Sequence, residues 1–114
     1  MNNRYKKTLL IDLDGVLNEY SGNFDEKVIP PPKEGAKHLL KELAKDYSVK
    51  IFTSRNKITA KKWLKDNDLS KYVQDVTNIK EPAYLQIDDR CIKFEGNYTN
   101  LLEQITNFKV WYRA

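Results

Sequence analysis

The sequence has little cysteine and histidine and no long apolar run: it contains one cysteine, one histidine, four glycines and four prolines. The lone Cys91 cannot form an internal disulfide, and alone it cannot build a cysteine-rich zinc site. No apolar stretch approaches the roughly 18 residues of a bilayer-spanning helix. The apolar run behind the basic segment 1–7 ends at Asp12, too short for a secretory leader of about 7–15 apolar residues. We therefore expect a cytoplasmic protein that does not enter a membrane.

Size and charge are those of an ordinary globular domain. The chain has 114 residues, 40% of them apolar and 32% charged, with a net charge of +4. This length fits one domain, residues 1–114, that can bury its own core. Because the lysines are scattered, we interpret them as a solvated surface rather than a nucleic-acid footprint.

Strand and helix patterns alternate along the chain. Strands are expected at residues 8–13, 49–53, 72–76, 84–87 and 108–112, and helices at 36–47, 58–67 and 98–106. Asn67 suits a left-handed helix end, and residues 18–27 suit a loop or small hairpin. The alternation predicts an α/β, three-layer Rossmann-like fold with a mostly parallel central sheet.

Reactive side chains follow three of the predicted strands. Asp12 and Asp14 follow the first, and Thr53, Ser54 and Arg55 follow the second. Asp88, Asp89 and Arg90 follow the strand at 84–87. Ligands of such sheets bind beyond the carboxyl ends of the strands, so we expect these groups to converge there. Four carboxylates would repel one another, and an all-oxygen set of this kind suits Mg²⁺.

Four segments in this order resemble motifs of the haloacid dehalogenase-like superfamily of phosphotransferases. They are Asp12-Leu13-Asp14-Gly15-Val16-Leu17, Ile51-Phe52-Thr53-Ser54-Arg55, Lys80 in Lys80-Glu81-Pro82, and Leu85-Gln86-Ile87-Asp88-Asp89-Arg90. The resemblance spans residues 8–95. The first and fourth motifs are specific. The second and third are short and support the resemblance only through their positions in the chain. The chain thus looks like a small phosphatase-type member.

This resemblance implies a mechanism and a set of roles. Asp12 would be the nucleophile that forms an aspartyl phosphate, and Asp14 the general acid and base. Thr53 would hold phosphate oxygens, and Lys80 would offset charge on the phosphoryl group. Mg²⁺ would be held by Asp12, the backbone carbonyl of Asp14, and Asp88 with Asp89 nearby or sharing the role. The implied activity is a Mg²⁺-dependent phosphoric monoester hydrolase.

Several assignments stay open at this point. Ser54 is an alternative to Thr53 for binding phosphate, and Lys33 and Lys93 compete less well with Lys80. Arg55 and Arg90 are candidates for a second substrate contact. The aromatic residues Trp63, Trp111 and Tyr112 are expected in the core or at its edge rather than as base-stacking platforms.

The spacing of the motifs leaves no room for a cap domain. Thr53 follows Asp12 by 41 residues, and Lys80 follows Thr53 by 27. An open site would suit a nucleic-acid end, a nucleotide or a phosphorylated protein. It would also suit a sugar phosphate if a neighbouring subunit in a homo-oligomer served as the lid.

Two other classes of function compete with a phosphatase. A receiver-like signalling domain also combines aspartates, a hydroxyl and a lysine, but its lysine comes last in the chain, whereas Lys80 precedes Asp88. The third possibility is a non-catalytic module that binds phosphate or Mg²⁺ on the same fold.

Overall fold

The computed structural model describes residues 5–113 as an α/β fold built on a four-stranded, all-parallel sheet. The strands are β1 (Lys7–Asp12), β2 (Tyr47–Phe52), β3 (Asp75–Thr77) and β4 (Leu85–Ile87), and the helices are α1 (Ala36–Asp46), α2 (Lys57–Asp66) and α3 (Tyr98–Asn107). The predicted α/β class and parallel sheet are confirmed. The start of the basic N-terminal segment, residues 1–4, lies outside the described residues. None of the helices in 5–113 has the length and apolarity that crossing a bilayer demands.

Strand β1 lies at the centre of the sheet, whose order is β3-β2-β1-β4. Its apolar run explains this position, because Leu9, Leu10 and Ile11 are all buried and a strand covered on both faces needs consecutive apolar residues. Ile11 pairs with Ile51 of β2 on one side and with Ile87 of β4 on the other. The carboxyl ends of β1 and β4 therefore meet at the same edge.

The helices begin where the sequence supplies suitable caps. Gly35, with φ of 89°, precedes α1, and the side chain of Asn56 accepts hydrogen bonds from two backbone N–H groups at the start of α2. Helices α1 and α2 pack against β2 and β3, whereas α3 contributes no buried residue. The core is apolar and consists mainly of Ile11, Leu13, Leu17, Leu40, Val49, Ile51, Trp63, Leu64, Leu69 and Val76.

Several predicted boundaries were wrong by a few residues. Tyr47, expected as the end of the first helix, is extended and begins β2. Tyr72 ends a short 3₁₀ turn, Ser70–Tyr72, so β3 begins only at Asp75. The left-handed residue after α2 is Asp68, with φ of 60°, rather than Asn67.

The strand expected at residues 108–112 is also wrong. This segment instead leads into a 3₁₀ turn, Trp111–Arg113, in which the Arg113 N–H donates to the carbonyl of Val110 at 3.0 Å. Only Val110 is buried, and the indole N–H of Trp111 donates to the carbonyl of Gly15 at 2.7 Å. That hydrogen bond joins the turn to the loop after β1.

Candidate active site

Three carboxylates meet at the carboxyl edge of the sheet. Asp12 is the last residue of β1, and Asp88 and Asp89 follow β4 directly. One carboxylate oxygen from each residue lies within 4.8 Å of the other two, a spacing that a single metal ion can bridge. The adjacency of β1 and β4 produces this cluster, as the sequence predicted for these three residues.

Burial and mutual repulsion make the charged form of this cluster costly. The pKa of Asp12 is raised from 3.8 to about 8, first by burial and then by the charges of Asp88 and Asp89. Burial also raises the pKa of Asp89, and a hydrogen bond with Asp88 adds to that rise. Oδ2 of Asp89 is buried without a hydrogen-bond partner among the described residues. A hard divalent cation is the kind of group that satisfies such oxygens.

Gly15 leaves the space that Asp89 occupies. A Cβ at Gly15 would lie 2.1 Å from Oδ2 of Asp89 and 2.7 Å from its Cγ. The φ of Gly15 is 87°, a left-handed conformation that favours glycine. Both requirements explain the glycine in the loop after β1.

Asp14 does not belong to the close group of three carboxylates. Its Oδ2 accepts a hydrogen bond from Nε of Arg55 at 2.7 Å, and its Oδ1 accepts one from Nδ2 of Asn18 at 3.0 Å. The four-carboxylate cluster expected from the sequence is therefore a cluster of three beside an ion pair. The guanidinium of Arg55 is the reason, because it provides Asp14 with a neutralising partner.

Arg55 is buried behind the site rather than exposed to solvent. Besides Asp14, its Nη1 donates to the carbonyl of Asp25 at 3.0 Å, and its guanidinium lies 4.5 Å from the ring centroid of Phe24. Nη2 is buried and has no hydrogen-bond partner in residues 5–113. Arg55 thus links Asp14 to the loop at residues 18–27, and its role in binding substrate stays a prediction.

The loop after β2 places the two candidate hydroxyls differently. Thr53 is buried, and its Oγ1 accepts the Arg55 N–H at 3.1 Å, whereas Ser54 is exposed. Asn78 braces this loop, because its Nδ2 donates to the carbonyls of Thr53 and Arg55 at 2.6 and 2.9 Å. The choice between the two hydroxyls as phosphate ligand stays open.

Lys80 is exposed in the segment between β3 and β4. No ion pair joins it to a carboxylate of the described residues, so only its position in the chain associates it with the site.

Sequence reasoning missed three residues that shape the site. Asn18 is buried and connects Asp14 to the N–H groups of Gly15 and Tyr20. Asn78 holds the Thr53 loop, and Trp111 contacts Gly15. Asn18 follows the turn at residues 14–17 and Asn78 lies in the bend after β3, and asparagine commonly bonds to backbone near such positions; that was the only available signal. Trp111 is 96 residues from Gly15 in the chain, and no local sequence pattern predicts a contact over that separation.

Comparison of the chain with family models, curated proteins and solved structures yields no match.

Proposed function

We propose that this protein is a Mg²⁺-dependent phosphatase that acts through an aspartyl phosphate on Asp12. The observation that carries the proposal is the cluster of Asp12, Asp88 and Asp89, with its raised pKa values and an unpartnered buried oxygen. The resemblance of four ordered motifs to the haloacid dehalogenase-like superfamily supports the same reaction.

The carboxylates of Asp12, Asp88 and Asp89 and the backbone carbonyl of Asp14 would hold Mg²⁺. The bound ion would neutralise charge on the carboxylates and on the phosphoryl group. A carboxylate oxygen of Asp12 attacks phosphorus while the ester P–O bond breaks, and Asp14 gives a proton to the leaving oxygen. Asp14 then takes a proton from the water that attacks phosphorus, which releases phosphate and restores Asp12. Arg55 and Asn18 hold Asp14 in one orientation throughout.

The remaining predicted residues would hold the phosphoryl group. Thr53 and Ser54 come at the start of the segment that leads into α2, where backbone N–H groups can bind phosphate oxygens. Lys80 would supply positive charge opposite them.

The proposal includes an open, capless, three-layer domain in the cytoplasm. Residues 13–35, between β1 and α1, contain turns and one isolated bridge between Asn18 and Pro32, but no helix. Two clefts of the described chain, of about 560 and 650 Å³, are lined by residues other than Asp12, Asp88 and Asp89. A site without a cap would admit a large phosphorylated substrate.

The strand order favours the phosphatase over a receiver-like domain. Receivers have the flavodoxin-like order 2-1-3-4-5, in which the first strand lies beside the third. Here β1 lies between β2 and β4.

The proposal is tested by release of inorganic phosphate from an aryl phosphate. We expect turnover with Mg²⁺, none with EDTA, and a loss of about a thousandfold or more in Asp12→Asn. Asp46→Asn, at the exposed end of α1, is the matched control and should retain full activity. Equal activity of Asp12→Asn and wild type, or turnover that is unaffected by EDTA, would contradict the proposal.

A further inference from the structure

Aromatic and cationic side chains surround the loop after β1 on one side. We call Tyr20, Trp111 and Tyr112 the aromatic rim. The rings of Trp111 and Tyr112 meet edge to face with centroids 5.4 Å apart, and those of Tyr112 and Tyr20 do so at 6.0 Å. The sequence predicted that Trp111 and Tyr112 lie in the core or at its edge, and the rim that they form with Tyr20 lies beside the proposed active site.

Trp111 is held firmly and yet remains exposed. Its indole N–H donates to the carbonyl of Gly15 at 2.7 Å, one residue from Asp14, and Gly15 itself contacts Asp89. Nonetheless 47% of Trp111 is accessible to solvent. An exposed indole with a fixed ring plane offers apolar area at little entropic cost.

Three cationic side chains lie near the aromatic rim. Nζ of Lys33 lies 4.2 Å from the Trp111 ring centroid, and Nη2 of Arg90 donates to the hydroxyl of Tyr112 at 2.9 Å. Arg113 lies against the loop at Gly22, where a Cβ would be 2.6 Å from its Nη2. Interleaved aromatic and cationic side chains are the combination that binds nucleic-acid components, through base stacking and phosphate contacts.

We propose that the aromatic rim binds the base of a nucleotide whose phosphate monoester enters the Asp12 site. This inference rests on the proposed phosphatase and specifies its substrate class. A sugar phosphate can offer an indole only the C–H groups of its ring, whereas a nucleotide offers both a planar base that stacks and a phosphate. The nucleotide is either free or at the end of a strand, since both present the same chemistry.

Binding is measured first, so that the test does not depend on turnover. Asp12→Asn with Mg²⁺ is titrated with adenosine 3′- and 5′-monophosphate and with ribose 5-phosphate as the base-free probe. The chain has two tryptophans, and the indole of Trp63 is buried against the carbonyl of Pro30. Nitrogen–proton spectra should therefore show one indole signal, that of Trp111, shifting with an adenosine phosphate and hardly at all with ribose phosphate.

The expected difference in affinity follows from the binding free energy that one stacked base contributes. We expect an adenosine monophosphate to bind about tenfold more tightly than ribose 5-phosphate. In Trp111→Leu the two affinities should come within about twofold of each other. Trp111→Phe retains a ring but not the N–H, so it should keep part of the preference even where the turn is loosened. Tyr5→Leu, which replaces an exposed ring just before β1, should keep all of it.

Binding of a thymidine tetramer with a terminal phosphate distinguishes a site for strand ends from a site for free nucleotides. Tighter binding of the tetramer than of the mononucleotide, weakened by added salt, would assign the rim to strand ends. Tighter binding of the mononucleotide would assign it to free nucleotides.

Failure of this inference is distinguishable from failure of the phosphatase. Equal affinity for the adenosine and ribose phosphates, or a preference that Trp111→Leu leaves intact, would overturn the base site even if phosphate is released. Base-dependent binding without turnover by wild type would support the rim and contradict the phosphatase.

Discussion

Nε of Arg55 lies 2.7 Å from Oδ2 of Asp14, although the two residues are 41 positions apart in the chain. Both side chains are largely buried, with 2% and 16% of their surfaces accessible. The ion pair joins the loop after β1 to the loop after β2 and sets the direction of the Asp14 carboxylate. The guanidinium of Arg55 offsets the negative charge of Asp14, although Asp14 still contributes to the raised pKa of Asp12.

Removing the cation of this pair should damage both stability and catalysis. Arg55→Met leaves a mostly buried carboxylate without its partner, so we expect a loss of about 3 kcal/mol in the free energy of unfolding. Phosphate release should fall at least tenfold at temperatures where the variant remains folded. Urea unfolding and initial rates measure the two effects. Lys62→Met, which breaks the exposed pair with Asp66, should cost under about 0.5 kcal/mol, and an equal cost for both variants would contradict the assignment.

A methyl group at Gly15 should weaken Mg²⁺ binding. Gly15→Ala directs a Cβ into the Asp89 carboxylate and should lower Mg²⁺ affinity about tenfold, as measured by calorimetry. The matched control is Gly35→Ala, which has a φ of 89° and no atom within 4 Å of its Cβ position. Both variants should lose about 1–2 kcal/mol of stability from backbone strain. Only Gly15→Ala should lose affinity for the ion, and loss in both would show that strain alone is responsible.

The pKa of Asp12 predicts how stability depends on pH without Mg²⁺. Because that pKa is about 8 in the folded protein and 3.8 ordinarily, the folded state retains a proton that the unfolded chain has released. The free energy of unfolding should therefore fall as pH rises from about 4 to about 8. The raised pKa of Asp89 acts in the same direction. Calorimetric melting in EDTA should show a shallower fall for Asp12→Asn than for wild type, and parallel curves would contradict the raised pKa.

Mg²⁺ binding should release protons for the same reason. At pH 7 Asp12, whose pKa is about 8, holds a proton that a bound cation should displace, so the apparent affinity should increase between pH 6 and pH 8. Titration calorimetry in buffers of different ionisation enthalpy measures the number released. A binding heat that is independent of the buffer would show that the carboxylates are already charged.

Asn78 should contribute to substrate binding without touching substrate. Asn78→Ala removes two hydrogen bonds to the carbonyls of Thr53 and Arg55, so the loop after β2, which we propose binds phosphate, should loosen. We expect a several-fold rise in KM and about 1–2 kcal/mol of lost stability. Asn107→Ala, at the exposed end of α3, is the control. An unchanged KM in Asn78→Ala would show that Asn78 does not support substrate binding.

The sequence predicted the parts of this structure that local patterns encode. The alternation of strand and helix patterns predicted the parallel sheet. The aspartates after β1 and β4 predicted a cluster of four carboxylates, of which the structure brings Asp12, Asp88 and Asp89 together. Four helix ends differ from their predicted positions by one residue, because capping depends on backbone geometry that residue type specifies only loosely. The segment at 108–112 has the alternation of a strand, yet it forms a turn.

Contacts between distant loops explain what was missed. The pairing of Arg55 with Asp14 and the bond from Trp111 to Gly15 join residues 41 and 96 positions apart. Such contacts depend on how the loops fold over the sheet edge, and neither periodicity nor motif spacing encodes that arrangement. The proximity of Asp12, Asp88 and Asp89 was predictable from the chain, whereas the hydrogen bonds around them were not.

The most direct test of the account is covalent labelling of Asp12. A ³²P-labelled phosphate monoester is mixed with Asp14→Asn, in which hydrolysis of the intermediate should be slow, and the reaction is quenched in acid. We predict one acid-stable, hydroxylamine-sensitive label per chain, mapped to Asp12 by peptide sequencing, dependent on Mg²⁺ and absent when Asp12→Asn is added to the same protein. Phosphate release by wild type without any such label, or a label that persists after Asp12→Asn, would contradict a phosphorylated Asp12.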